Sequence, residues 1–99
     1  MIHTKSLSAS GEMYITPNAG DYTQAAFLSE LHEIIAGQLA QHHRVILNLQ
    51  HATKIDGNGY LVFSELMKKA SGLDVQLQFT NIPDSISETI DNVRNVSDG

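Results

Sequence analysis

The sequence contains no cysteine, and this absence excludes both a disulfide framework and a thiolate metal site. Hydrophobic residues make up 41% of the chain, which indicates a folded globule rather than a disordered segment. A chain of 99 residues has room for one compact unit. We therefore expect a single domain spanning residues 1–99.

Basic residues are also scarce, with six Lys and Arg against eleven Asp and Glu and a formal net charge of −5. They are scattered, and only Lys68 and Lys69 are adjacent. Nucleic acids attract clustered basic residues, so we expect no nucleic-acid partner.

Long apolar runs are missing as well. No stretch approaches the roughly 20 apolar residues of a membrane-spanning helix, and the N-terminal "MIHTKSLSASGEMYI" lacks the apolar run of a signal peptide. We expect a cytoplasmic protein without direct membrane insertion.

The first half of the chain combines an alternating pattern with a helical one. Two short alternating stretches flank Ser10–Gly11 and predict a hairpin or a sheet edge. Asp21, with Gln24 three residues on, predicts the start of a helix, which Gly37 weakens near its end. The apolar stripe of this helix is Leu28, Leu31, Ile35 and Leu39.

The second half predicts a strand–helix–strand unit. Residues 44–50 are a short apolar run typical of a buried strand, and 59–71 have helical periodicity that ends at Gly72. Residues 73–79 alternate as a strand, and Pro83 begins a third helix with an apolar stripe. Because such a unit requires parallel strands, we predict an α/β fold with a small mixed, mostly parallel sheet flanked by helices. The stripe of the third helix is Ile86, Ile90 and Val93.

The stretch "KIDGNGYLVFSEL" has the outline of a calcium-binding EF-hand loop. Asp56, Asn58, Gly59 and Glu65 match the third, fifth, sixth and twelfth positions. Lys54, however, occupies the first position, where an ammonium would repel the cation. The preceding element is also a predicted strand instead of a helix, so we expect no metal here.

The same stretch fits a tight strand-to-helix turn. Gly57 and Gly59 permit a sharp change of direction, and Asp56 or Asn58 can cap the helix. Such a turn follows the carboxyl end of a parallel strand, where open α/β sheets place binding surfaces. A plain turn without a binding role is the alternative.

The order of these segments resembles the STAS domain, the family of sulphate transporters and anti-sigma factor antagonists. "RVILNLQHATKIDGNGYLVFSELMKKA" is similar to its core strand, Asp-containing turn and amphipathic helix. "SASGEMYI" is similar to an early strand with a Gly-Glu-apolar signature, and "LDVQLQFTNIPDSISETI" to the next strand and helix. The likeness spans about Ser8 to Val93 and the chain resembles the shorter stand-alone members.

The resemblance implies a non-enzymatic interaction module that needs no cofactor. In anti-sigma factor antagonists the residue after the Asp is a Ser or Thr that a partner kinase phosphorylates. Gly57 stands there and has no hydroxyl, so the usual switch is absent or relocated. Thr53 and Ser64 are the nearby hydroxyls.

We expect a protein partner to dock on this loop and on the outward side of the following helix. Tyr60 and Ser64 are predicted to face outward one turn apart, with Lys68 next along. The expected partner-binding residues are Thr53, Lys54, Asp56, Gly57, Asn58, Gly59, Tyr60 and Ser64.

Catalytic motifs are not apparent in the sequence. His32-Glu33 begins like a zinc-protease signature, but Ala36 stands where the second histidine belongs. Neither a Gly-x-Ser-x-Gly nucleophile elbow nor a phosphate-binding loop is present. We therefore do not expect an enzyme.

Three functional hypotheses remain open. The first is a bacterial signalling module, resembling an anti-sigma factor antagonist, that docks to a kinase-type anti-sigma factor and regulates transcription by partner switching. The second is a small regulatory subunit of a phospholipid-transport type ATPase. The third is a ligand or anion sensor that uses the helix N-terminus. The sequence leaves the oligomeric state open.

Overall fold

The computed structural model describes residues 3–95, which form an α/β fold with three helices and six strands. The elements are β1 His3–Leu7, β2 Met13–Pro17, β3 Asp21–Tyr22, α1 Ala25–Leu39, β4 Arg44–Asn48, β5 Lys54–Ile55, α2 Gly57–Gly72, β6 Gln76–Thr80 and α3 Asp84–Asn95.

Four strands form the main sheet in the order β1-β2-β4-β6. β1 runs antiparallel to β2, while β2–β4 and β4–β6 are parallel pairs. The predicted hairpin, the parallel strand–helix–strand unit and the mixed, mostly parallel sheet are confirmed. β4 is central because its branched apolar residues can be buried on both faces of the sheet.

The helices and the main sheet enclose the hydrophobic core. α1 packs on β2 and β4, and α2 packs on β6 and lies between α1 and α3. The predicted stripes of α1 and α3 are fully confirmed, because each of their residues is buried. The buried apolar side chains of the helices are Leu28, Leu31, Ile35, Leu39, Phe63, Leu66, Ala70, Ile86, Ile90 and Val93.

The predicted helix start at Asp21 is wrong. Asp21 and Tyr22 form β3, which pairs in parallel with β5, and α1 begins at Ala25 after Gln24. The Asp21 carboxylate accepts hydrogen bonds from the Thr23 main-chain N–H at 3.1 Å and from the Thr23 hydroxyl. The aspartate therefore closes a local turn instead of capping the helix.

Other boundaries also differ from the prediction. β4 ends at Asn48 instead of residue 50, and α3 begins at Asp84, one residue after Pro83. α2 begins at Gly57, two residues before the predicted start. The last strand, β6, begins at Gln76, because Leu73 caps the C-terminus of α2 and is 48% exposed. The C-terminal stop near Gly72 is confirmed, and α1 continues through Gly37 to Leu39.

Candidate docking site

Asp56 is the N-cap residue of α2 and directly precedes its first residue, Gly57. One carboxylate oxygen, Oδ1, accepts hydrogen bonds from the main-chain N–H groups of Asn58 at 2.9 Å and Gly59 at 3.4 Å. These are two of the donors that a helix N-terminus leaves unpaired. The predicted capping role is therefore confirmed for Asp56.

The segment before the cap is attached to Gly20. The main-chain oxygen of Gly20 accepts hydrogen bonds from the Thr53 N–H at 2.8 Å, the Lys54 N–H at 3.3 Å and the Thr53 hydroxyl at 3.1 Å. A Cβ at position 20 would lie 1.8 Å from the His51 main-chain oxygen, so only glycine permits this close approach. The loop is thus held by main-chain contacts.

Asp21 and Lys54 form a second connection between this segment and β3. They are paired across β3 and β5, and the Lys54 Nζ lies 3.6 Å from the Asp21 Oδ2. The hydrogen bond from the Thr23 hydroxyl lowers the pKa of the Asp21 carboxyl, with further lowering by Gln24 and the charge of Lys54. The folded protein therefore favours the carboxylate form of Asp21, chiefly through the local turn with Thr23.

Gly59 lies beneath the turn and is buried. A Cβ at this position would lie 2.5 Å from the Ile55 Cγ1 and 2.6 Å from the Tyr22 main-chain oxygen. This glycine allows the first turn of α2 to rest against β3 and β5. The protein's own chain covers Gly59, so a partner can reach little of it, and its place among the partner-binding residues stays a prediction.

The remaining loop residues are exposed and lie on one corner of the molecule. They are Thr53, Lys54, Asp56, Gly57 and Asn58, and we call the segment Thr53–Asn58 the docking corner. The charged side chains of the corner are Lys54 and Asp56, and hydrogen bonds hold the main chain that carries them. Such preorganisation reduces the ordering cost of binding.

The predicted outward face of α2 is wrong for Ser64. Ser64 is only 6% exposed, and its hydroxyl has no hydrogen-bond partner among the described residues. Tyr60 is half-buried and packs against the core, whereas Lys68 is exposed as expected. The reason is that α2 contacts both α1 and α3, so its covered sector is wider than one apolar stripe.

The hydroxyls considered as replacements for a phosphorylatable residue differ in accessibility. Thr53 is exposed and donates its hydroxyl hydrogen to the Gly20 oxygen. Ser64 is buried, so a kinase cannot reach it without local opening. At Gly57 a Cβ would meet no atom within 4 Å, and the residue does not have a positive φ.

The calcium-like residues do not converge on one point. The Asp56 carboxylate caps α2, and Glu65 lies toward α1, where its Oε2 is 3.7 Å from the His32 Nε2. Residues 3–95 hold no group of three or more His, Cys, Asp or Glu side chains placed to bind a metal ion.

Sequence reasoning missed a groove beside the corner. The groove lies between α1 and α2 and is lined in part by Leu28, Asn58, Leu61 and Val62. Leu61 is 59% exposed although it lies within α2. The available signal was its position three residues after Asn58, because Val62, Leu66 and Ala70 recur at helical spacing along α2 and Leu61 lies outside that apolar stripe.

The fold is α/β, and an exposed strand-to-helix corner precedes and begins α2. The STAS domain model matches residues 8–97, and this chain belongs to the STAS domain family. STAS domains are generally non-enzymatic and often mediate protein interactions. The predicted family resemblance is therefore confirmed over most of the chain.

Other comparisons bear on the fold. A solved structure described as "Crystal Structure Analysis of Mglu" is similar with a TM-score of 0.68 and 12% sequence identity. The match covers 82% of this chain and 19% of that one, and at this identity it concerns the fold alone. No curated protein matches this sequence. Among residues 3–95, no helix is long and apolar enough to cross a membrane.

Proposed function

We propose that this chain is a non-catalytic signalling domain that docks to a kinase-type anti-sigma factor in the cytoplasm. The docking corner and the exposed part of the first turns of α2 form the contact surface. The proposal extends the confirmed STAS membership, since domains of this family often bind proteins.

The observation that supports this proposal is that hydrogen bonds hold the main chain of the exposed docking corner in place. Gly20 fixes the main chain of Thr53 and Lys54, and the Asp56 carboxylate fixes the first turn of α2. Lys54 and Asp56 are both exposed, so a partner can recognise their two charges. A surface with fixed polar groups favours specific recognition.

In this proposal, docking is not controlled by phosphorylation at position 57. Gly57 carries no hydroxyl, so a phosphate cannot be added there to repel the partner. Because a side chain at this position would meet no atom within 4 Å, the glycine is not required for packing. Partner binding is then not regulated by phosphorylation of residue 57.

The test is an affinity purification from native lysate with the full chain, comparing wild type, Asp56→Asn and Asp74→Asn. Asparagine preserves the cap but removes the charge. We expect Asp56→Asn to reduce the retained partner about tenfold, equivalent to about 1.4 kcal/mol. Asp74, exposed just beyond the other end of α2, supplies a charge-matched control without an expected effect.

Identification of the retained protein by mass spectrometry completes the test. A kinase-type anti-sigma factor that is lost with Asp56→Asn supports the proposal. If the retained protein is instead an ATPase subunit that is lost with Asp56→Asn, the corner is still the docking surface, but the partner is an ATPase and not an anti-sigma factor. Equal retention by Asp56→Asn and wild type would refute docking through the corner.

A further inference from the structure

The groove between α1 and α2 has a volume of about 450 Å³. Its α1 wall runs from Ala25 to Glu33 and its α2 wall from Asn58 to Glu65, with lining residues three or four positions apart. Each wall therefore follows about two helical turns, roughly 11 Å. Asn58 belongs both to the groove and to the docking corner, so the two surfaces are continuous.

The floor of the groove is apolar. Leu28 is 2% exposed and Val62 is half-buried, whereas Leu61 leaves 59% of its surface uncovered. Leu61 is therefore not part of the core, and its exposed apolar side chain lies beside the polar residues at the edges of the groove. An exposed leucine in a concave site, next to a binding surface, is suited to contact a partner's apolar side chain.

The far end of the groove is acidic on both walls. Glu33 lies on α1 and Glu65 on α2, and no Lys or Arg is among the residues that line the groove. The Glu65 side chain is 68% exposed, and its Oε2 lies 3.7 Å from the His32 Nε2. Two carboxylates flanking an apolar floor are complementary to a segment with apolar residues and Lys or Arg beside them.

The shape of the site favours a helical segment. The walls are helices, whose main-chain groups are bonded internally, so the groove offers no edge to which an extended strand can pair. Side chains at three- and four-residue spacing form ridges between which a third helix can pack. These features point away from an extended peptide.

We propose that this groove binds a basic amphipathic helix of the docking partner. Its apolar stripe covers Leu61, and its Lys or Arg side chains lie over Glu33 and Glu65. This inference rests on the proposed docking function and specifies the chemistry of the partner segment.

The first experiment measures binding of designed peptides to the full chain by fluorescence anisotropy. One peptide is a helix with a leucine stripe flanked by lysines, and the second has glutamates in place of these lysines. The protein variants are the double substitution Glu33→Lys/Glu65→Lys and the single substitution Leu61→Ser. Glu88→Lys on α3 and Leu73→Ser beyond α2 are the matched exposed controls.

We expect the lysine peptide to bind wild type and both controls, and to bind at least about tenfold more weakly to the double variant. The double variant should bind the glutamate peptide, because the charges are exchanged, and Leu61→Ser should weaken binding of the lysine peptide. Equal weakening by Glu88→Lys would identify bulk charge attraction and overturn the proposal. Unchanged binding to the double variant or to Leu61→Ser would also overturn it.

The second experiment separates this inference from the docking proposal. The retained partner is tested against Asp56→Asn and against Glu33→Lys/Glu65→Lys. If only Asp56→Asn loses the partner, the result supports docking through the corner and refutes binding in the groove. Loss with the double variant alone supports the groove and refutes the corner, and loss with both supports one continuous interface.

Discussion

The main-chain oxygen of Tyr22 lies where a side chain at Gly59 would need to be, only 2.6 Å from the position of a Cβ there. This contact joins β3 to the first turn of α2. It explains why a glycine is needed at position 59, in the first turn of α2, and it distinguishes Gly59 from Gly57, where a Cβ would meet no atom within 4 Å.

Gly57→Ala and Gly59→Ala should have opposite effects on stability. Alanine at 57 meets open space and reduces the entropy of the unfolded chain, so we expect a gain of about 0.4–1 kcal/mol. Alanine at 59 collides with Tyr22 and Ile55, with an expected loss of about 1–3 kcal/mol. Urea unfolding of both variants measures the two effects, and a stabilising Gly59→Ala would contradict the contact.

Asp56 should contribute to stability through its cap and to docking through its charge. Asp56→Ala removes the hydrogen bonds to Asn58 and Gly59, and we expect a loss of about 1 kcal/mol. Asp56→Asn retains an accepting oxygen and should stay near wild type in urea unfolding. If the two variants lose equal stability, the cap hydrogen bonds are not the cause.

The buried hydroxyl of Ser64 predicts that this residue is structural. Ser64→Ala removes an unpaired polar group and should raise the free energy of unfolding by about 1 kcal/mol without changing partner retention. Ser64→Asp should lower it by more than about 3 kcal/mol, because the charge would be buried without a partner. Unfolding curves decide this, and a Ser64→Asp variant as stable as wild type would show that position 64 is accessible.

The Asp21 carboxyl should make stability depend on pH in the acidic range. The folded state lowers its pKa below the ordinary value of 3.8. Its contribution is therefore present above that value and is lost as the pH falls through the lower folded pKa. We expect the free-energy difference between wild type and Asp21→Asn to shrink as the pH falls from about 5 to about 2. A difference that is constant over this range would refute the assignment.

Part of the fold was predictable because it depends on local periodicity. The stripe of Leu28, Leu31, Ile35 and Leu39 recurs at helical spacing, and burial of one helix face follows from that spacing. The alternation around Ser10–Gly11 likewise predicted the hairpin. Family membership was predictable for a related reason, since the order and spacing of whole segments are preserved.

The two-residue strands were not predictable in the same way. Asp21–Tyr22 pairs with Lys54–Ile55, and two residues are too few for a periodic signal. An Asp followed three residues later by Gln resembles a helix start, so Asp21 was assigned to the wrong element. The groups that decided its role are the Thr23 main-chain N–H and hydroxyl, which donate to the Asp21 carboxylate, and the ammonium of the distant Lys54.

The sequence by itself determined the α/β class, the buried faces of α1 and α3, and two candidates, Asp56 and Asn58, for the cap of α2, because these follow from spacing and short-range hydrogen bonding. Only the tertiary structure decided that Gly59 and Ser64 are covered and that Leu61 lines a groove. The physical reason is that α2 packs between two other helices, so the accessibility of its side chains depends on neighbours distant in the sequence.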